Sequence, residues 1–514
     1  MTTRWFYLVA GSTSGDKCLS VDISNMKSLD DLRRGTAGMF SVAVPDSISF
    51  HSESGLLSSI NEIEQTRSKI GVCVDNQAIR EPAGPREIPF VGNYFEIHPD
   101  HLGNHERLFH RYGSVIKTVV MGRTVYLTND PRVSEVVFGE NEFFTKKTSE
   151  PNHPLYWISD VSALFAADTA AEGVKLAHKF VPPSMSPKAV QHYMPAMRQE
   201  IQSSFNVFDA LDDRRQSWNA YQYMLKLSSQ VVSKMVLGLD VGHFHTPDTQ
   251  LHELVSVVGE FVVAVRQASL SFPWLKYAAL QSTCIADYLK RAVDDGNQKL
   301  PDEYIPSNAL LVLAAGISTT SSMLSYLLYF LVNYPETQTN ILQELINNNV
   351  TPENCWTYDT IMSLPYLDGF VREGLRLHGP AFQPARNAKT DVVVPGAYRI
   401  PAGAVVNPLF SSIHRNKEYW ENPSLFYPER WFSSNVKKHR MAYSPFAAGP
   451  RGCVGFNVAH IELRMILAML VFRYKFIDMS PDPVVYDHEY LLERLVNCYV
   501  RAKRRTAWPE KNPS

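Results

Sequence analysis

Phe446-Ala-Ala-Gly449-Pro-Arg451-Gly452-Cys453-Val-Gly455 runs directly into Phe456-Asn-Val-Ala459-His-Ile-Glu462, where the apolar spacing turns helical. A cysteine at such a junction faces a helix N-terminus. Free N–H groups and the positive end of the helix dipole there favour a thiolate. Glycines at 449, 452 and 455 let the backbone approach a flat group closely. Arg451 can pair with a carboxylate on that group. A buried cysteine in a glycine-rich loop would account for any two of these features. All of them within one short window point to a thiolate that ligates iron.

The rest of the chain sets bounds on what surrounds this window. It has 514 residues, with 45% apolar and 20% charged side chains, the usage of an ordinary globular protein. That excludes a wholly disordered, collagenous or disulfide-scaffold chain. Basic and acidic residues number 50 and 52, so nothing calls for nucleic acid as a partner. The six cysteines, at 18, 73, 284, 355, 453 and 498, form no C-x-x-C pair. They read as buried apolar residues of a reducing compartment, Cys453 excepted. The first fifteen residues lack the basic start and cleavage pattern of a signal peptide. The most apolar stretch, Ala309 to Val332, is interrupted by Ser318, Thr319, Thr320, Ser321 and Ser322, which suits a buried helix and predicts no transmembrane anchor. The expected localisation is cytoplasmic or peripheral on membranes.

The Cys453 window resembles the haem-binding signature of the cytochrome P450 superfamily, F-x-x-G-x-R-x-C-x-G, with Phe446, Gly449, Arg451, Cys453 and Gly455 at its fixed positions. The resemblance extends over roughly 82–505. It implies a mainly α fold with small β-sheets, and haem b as cofactor with Cys453 as axial thiolate. It also carries further motifs onto this chain. Glu373-Gly-Leu-Arg376, with Arg430 of Pro428-Glu-Arg-Trp431, matches the family's structural triad. Spacing of three puts Glu373 and Arg376 on one helix face, where an isolated match would be a surface ion pair. Ala315-Gly316-Ile-Ser318-Thr319-Thr320 matches the oxygen-pocket segment of a long helix, with Thr319 as its threonine. Ser318 stands where the family has an acid, which leaves a hydroxyl as relay in place of a proton donor. Small residues and hydroxyls there invite a local helix bulge beside Gly316. Arg386 and Arg451 are expected on the haem propionates. His178 is too, in Val174-Lys-Leu-Ala-His178, where Val174 replaces the family's tryptophan. His414-Arg-Asn416 and Trp420 to Pro423 read as loop architecture.

Elsewhere the pattern gives organisation. Residues 1–80 read as strand, strand, helix, strand, strand: Trp5–Ala10, Lys17–Ile23, a helix capped by Ser28, Ile48–Phe50 and Ile70–Val74. This is either a small β-grasp-like α+β extension or an irregular one packed on the main body. Residues 81–93 carry three prolines and two glycines and read as a Pro/Gly hinge. Residues 94–514 are the haem-thiolate domain, with helices expected at 107–112, 220–239, 252–268, 306–333, 359–378 and 459–472 and a hairpin at 115–128. Every chemical motif follows the hinge, so deletion of 1–80 is expected to leave a haem-binding core.

The resemblance implies a monooxygenase that inserts one oxygen of O2 into a small organic substrate. The residues after 505 are too few for a flavin domain, so a separate NADPH–cytochrome P450 reductase is the expected electron donor. The basic run Val436-Lys-Lys-His-Arg440 would lie on its docking face. The 174–187 segment resembles soluble fatty-acid hydroxylases and related fungal enzymes, suggesting a fungal-type enzyme of secondary-metabolite biosynthesis or lipid oxidation. A fatty-acid hydroxylase, a reductase-independent isomerase or dehydratase, and a haem-based ligand-binding protein stand as alternatives. Loops 144–166, 260–275 and 382–388 are the expected substrate contacts.

Overall fold

A computed structural model describes residues 3–10, 18–159, 164–269, 301, 304–351, 354–380, 384–433, 439–488, 490 and 492–512. The turn expected at 11–16, residues 436–438 of the basic run, and residues 160–163, 270–275 and 382–383 of the expected substrate loops lie outside the described residues.

The N-terminal region opens with strands β1 (Thr3–Leu8) and β2 (Leu19–Asp22). Helix α1 (Leu29–Phe40) follows, started by the Ser28 hydroxyl, which accepts from the Asp31 N–H. Strands β3 (Ile48–Ser52), β4 (Gly55–Leu57) and β5 (Ile70–Val74) complete it. The sheet order is β2-β1-β5-β3-β4, with β1 and β5 parallel and the other pairs antiparallel. With α1 leading from β2 to β3, this is the order of a β-grasp sheet. Strand β4, three residues long, is too short to register as a sequence pattern. The core under α1 holds Phe6, Leu32, Ile48, Phe50, Ile70 and Val72, together with Val393 and Ala397 from far along the chain.

Residues 81–93 are pinned to the main body. The Lys117 N–H donates to the Ala83 carbonyl at 2.9 Å, and Asn93 bridges Pro85, Arg86 and Val119. A Cβ at Gly84 would lie 1.9 Å from the Lys117 oxygen, so only glycine permits that approach.

In the main body, α2 (His101–Tyr112) leads into β6 (Val115–Val120), β7 (Arg123–Thr128) and α3 (Pro131–Phe138). Strand β8 (Phe144–Thr145), α4 (Glu172–Phe180), α5 (Ala220–Leu237) and α6 (Glu253–Ser269) come next. The long α7 (Ile305–Asn333) and α8 (Pro365–His378) precede β9 (Arg386–Ala388), β10 (Val392–Val394), β11 (Tyr398–Ile400) and β12 (Val405–Pro408). Helix α9 (Phe456–Arg473) follows the glycine-rich loop. A five-stranded sheet runs β6-β7-β12-β9-β8, and β10–β11 is a hairpin that leans on the N-terminal region. Tyr474–Asp478, Tyr499–Arg504 and Trp218–Asn219 form a third sheet.

The largest core packs α7, α8 and α9 together through Leu324, Leu327, Leu331, Phe370, Leu375, Leu467 and their neighbours. By length and composition Asn308–Asn333 could cross a membrane, and 72% of its most apolar stretch is buried inside the protein. Two expectations about helices change. The single helix at 359–378 is two, Tyr358–Met362 and α8. Pro365 has no N–H to continue a helix and pushes Leu364 out of helical geometry, so the chain restarts there. Helix α7 runs without the expected bulge through 314–320, with the Thr319 hydroxyl turned back onto the Ala315 carbonyl of its own helix.

Candidate functional site

The glycine-rich loop folds back before α9 begins. The Cys453 N–H donates to the Phe446 carbonyl at 2.8 Å, and the Gly455 N–H points at the cysteine sulfur. Burial pushes the Cys453 thiol up, and the Gly455 N–H pulls it the other way. Cys453 lies deep in the fold, yet its side chain remains accessible, so the sulfur opens onto an interior face. Gly449 has φ +71°, and a Cβ there would lie 2.1 Å from the Phe138 carbonyl oxygen. At Gly455, by contrast, a Cβ would meet only the Met185 and Cys453 sulfurs, at 3.8 and 4.0 Å. Its part is the N–H that it brings to the sulfur. Phe446 packs its ring against His460, 5.0 Å between centroids.

Three cations converge beside this loop. Arg386 donates to the carbonyls of Pro384, Ala385 and Arg451, and its Nε lies 3.0 Å from Glu140. Arg451 donates to Thr169, Leu164 and Ala167. The third is Lys146, whose ammonium donates to the Phe165 carbonyl at 2.6 Å. Burial, with Arg451 and Arg386 alongside, holds Lys146 well below the usual lysine range, and burial brings Arg386 down to about 10. Glu140 is the buried carboxylate paired with Arg386 in this cluster. Buried Lys146 and Arg386, with half-buried Arg451, outnumber this buried carboxylate and leave a positive balance, the sign that propionates would answer. The donor set therefore fits haem. His178 is exposed, and its ring Nε2 lies 2.9 Å from the Pro450 carbonyl, so it clamps the loop. Lys146 was not among the sequence candidates. It follows β8 beside exposed Lys147, and a lysine pair reads as solvated surface.

Glu373 and Arg376 meet on α8, fully buried, through two bonds of 2.8 and 2.9 Å. Arg430 Nε reaches the same carboxylate at 3.2 Å, and the Tyr427 N–H and Trp431 indole donate to it as well. Arg376 also donates to the carbonyls of His414, Pro423 and Leu425. The His414 ring in turn accepts from the Ser444 N–H at 3.0 Å. The triad thus staples the 414–425 loop beneath the cysteine loop.

On α7, Ala315 and Thr319 lie one turn apart on the accessible side of a largely buried helix. The Thr319 hydroxyl donates to the Ala315 carbonyl at 2.7 Å. Ser318 is buried and shares a hydrogen bond with Tyr490, so it does not stand with Thr319. Gly316 lets α5 close in: a Cβ there would meet Val232 at 3.2 Å.

A mainly α fold, a deep accessible cysteine at a helix start and a cationic cluster beside it define a haem-thiolate protein. A family model described as Cytochrome P450 matches residues 82–283 and 276–492, and the chain belongs to that family. Its cofactor is haem held by a cysteine thiolate, and it is a monooxygenase. Cytochrome P450 monooxygenase alnD of Emericella nidulans is 41% identical over 556 aligned positions that cover all of both chains. Cytochrome P450 4F1 of Rattus norvegicus is 32% identical over 276 residues, about half of each chain (51% and 52%). The crystal structure of a cytochrome P450DA heme domain superposes with a TM-score of 0.72 at 21% identity, covering 84% of this chain and 99% of that one.

Proposed function

We propose that Cys453 is the thiolate that ligates haem iron, and that this monooxygenase works in fungal secondary-metabolite biosynthesis with electrons from a separate NADPH–cytochrome P450 reductase. The accessible sulfur of Cys453 at the start of α9 carries this reading. Haem bound through a thiolate supplies oxygen activation. The chain supplies the rest. Lys146, Arg386 and Arg451 hold the propionates, and His178 fixes the loop from its outer side. The Thr319 hydroxyl, on the accessible face of α7, would hold a proton at its Oγ1 on the side where oxygen chemistry would take place. The end-to-end likeness to a fungal monooxygenase supports the fungal assignment. Burial of α7 supports a cytoplasmic protein, or one peripheral on membranes. His439 and Arg440 of the basic run lie beside Glu135 at the surface, and Arg440 keeps most of its side chain exposed.

The test is Cys453→Ala. Reduced wild-type protein treated with carbon monoxide should show the red-shifted haem-thiolate band, and the variant should not. Persistence of the band in the variant would remove Cys453 from the site. Turnover that proceeds without reductase and NADPH would favour the isomerase alternative.

A further inference from the structure

Helix α7, which carries Thr319, has no Asp, Glu or His along Ile305–Asn333. A monooxygenase returns one oxygen of O2 as water, which consumes protons, so an acid has to reach this helix from elsewhere. Residues 315, 319, 322 and 326 succeed one another at helical spacing and form a single stripe. Ala315 and Thr319 are its accessible part, whereas Ser322 and Tyr326 are buried.

A cluster of ionisable groups covers the buried part. The Ser322 hydroxyl donates to the Glu493 backbone carbonyl, which seats Glu493 one turn from Thr319. The His378 ring, at the end of α8, stacks on Tyr326 with 4.5 Å between centroids. Glu493 is 4% exposed, and its Oε2 lies 3.8 Å from His378 Nδ1. These two atoms and the Tyr326 hydroxyl oxygen are buried and have no hydrogen-bond partner among the described residues. Buried polar atoms left bare cost free energy, so three at one place point to bonds made in turn or through a shared water. A gap of 3.8 Å is too long for a standing hydrogen bond and short enough to close when a side chain turns.

The cluster stands between an inner cavity and the surface. Glu493 lines the cavity of about 130 Å³ between α2, β7, α6 and the segment at 490–493. His378 lines a surface cleft together with Phe330, Asn333, Arg415 and Ser424, and residues 330 and 333 continue the Thr319 stripe along α7. Burial lowers His378 below the ordinary imidazole range; Glu493 offsets this in part, and Arg415 and Arg376 add to it. The ring is therefore neutral at pH 7, able to take a proton on one nitrogen and give one from the other. Burial and the Glu493 charge raise the Tyr326 hydroxyl well above the tyrosine range, so it keeps its proton.

We propose that His378 and Glu493 form a proton relay that runs beside α7 from the outer cleft toward Thr319. Water in the cleft gives a proton to His378 Nε2, and the Nδ1 proton passes to Glu493 Oε2. Glu493 then releases that proton toward Thr319 and is a carboxylate again, while a flip of the ring restores the first tautomer. No electron moves along this path. The inference rests on the monooxygenase reading above and names the proton supply of that site.

The test uses full-length holoprotein carrying Glu493→Gln or His378→Phe, the second of which keeps the stack on Tyr326. Haem content and the carbon monoxide band should match the wild type. Product formed per NADPH should fall at least about tenfold, with hydrogen peroxide rising in step. The solvent deuterium isotope effect on product formation should rise, which a merely structural role would not cause. Without turnover, infrared spectra of the resting holoprotein across pH should show a titrating carboxyl band that is absent in Glu493→Gln and has a displaced midpoint in His378→Phe. Tyr326→Phe removes one unpartnered hydroxyl and keeps the ring, so it should fold even where the other two variants do not. Its product per NADPH should fall about two- to tenfold, the range of one neutral hydrogen bond. Wild-type coupling and isotope effect in the haem-loaded variants, or a carboxyl band indifferent to His378→Phe, would overturn the relay. A failed thiolate assignment would show instead as a missing carbon monoxide band in the wild type.

Discussion

Arg376 grips Glu373 with its Nε and one terminal nitrogen, at 2.9 and 2.8 Å, and neither side chain is exposed. Their carboxylate is then completed by Arg430, Trp431 and the Tyr427 N–H. Such a cluster adds little over an apolar core of the same shape, but removing one member is severe, because the remaining charges stay buried.

Glu373→Ala leaves Arg376 and Arg430 without their carboxylate. The expected loss is about 3–5 kcal/mol, a large part of a typical stability margin. Arg376 also holds the His414 and Pro423 carbonyls, so the loop below Cys453 should loosen with it. Expression should yield little haem-loaded protein. Normal haem content together with an unchanged melting temperature would show the cluster to be dispensable.

Lys146→Met tests the cationic cluster. The thioether fills similar space without the charge, so the haem-free protein should fold at least as well as the wild type. In the holoprotein one charge-assisted bond is lost, worth roughly 1.5–3 kcal/mol, or about ten- to a hundredfold in haem retention. The measurement is the rate of haem transfer to an excess of an apo-globin acceptor. A rate equal to that of the wild type would place the propionates elsewhere.

Local spacing made part of this site legible. The Cys453 loop and the Glu373–Arg376 pair each fall within one turn or one short loop, so their geometry follows from sequence distance. Arg430 joins the pair only through the fold, and its motif had to come from a family likeness. Lys146 was hidden by its neighbour. The two lysines follow the short strand β8, where successive side chains alternate sides. Lys147 pairs with Glu150 at the surface while Lys146 is buried. Pro365 was visible in the sequence, but the apolar period continues across it and masks the break. The sharing of Val393 and Ala397 with the N-terminal core had no local signal at all.

Thr319→Ala probes oxygen handling. The hydroxyl that now donates to the Ala315 carbonyl lies on the accessible face of α7, and the proposed role has it turn toward a bound ligand. Haem content and substrate binding should be unchanged. Product formed per NADPH should fall about ten- to a hundredfold, the worth of one hydrogen bond to a charged partner, with hydrogen peroxide rising in step. Unchanged coupling would assign proton delivery to another residue and would strengthen the reductase-independent alternative.

Deleting residues 1–80 gives the clearest reading of how the N-terminal region relates to the rest. Every chemical motif lies after it, and on that ground alone the remainder should bind haem. The packing argues for a cost. Val393 and Ala397 are buried in the N-terminal core, the Val42 and Val393 backbones pair, and Asp75 accepts from the Gly396 N–H and from Arg132. The Arg80 guanidinium also lies 4.4 Å from the Tyr398 ring centroid. Removal uncovers the outer side of the β10–β11 hairpin, and each fully buried valine so exposed is worth about 1.5–3 kcal/mol. The truncated protein should therefore still collapse and take up haem, but melt several degrees lower and aggregate on warming. Val393→Ser in the full-length chain should reproduce part of the drop. A truncated protein with the wild-type melting temperature and solubility would show that the two cores are independent.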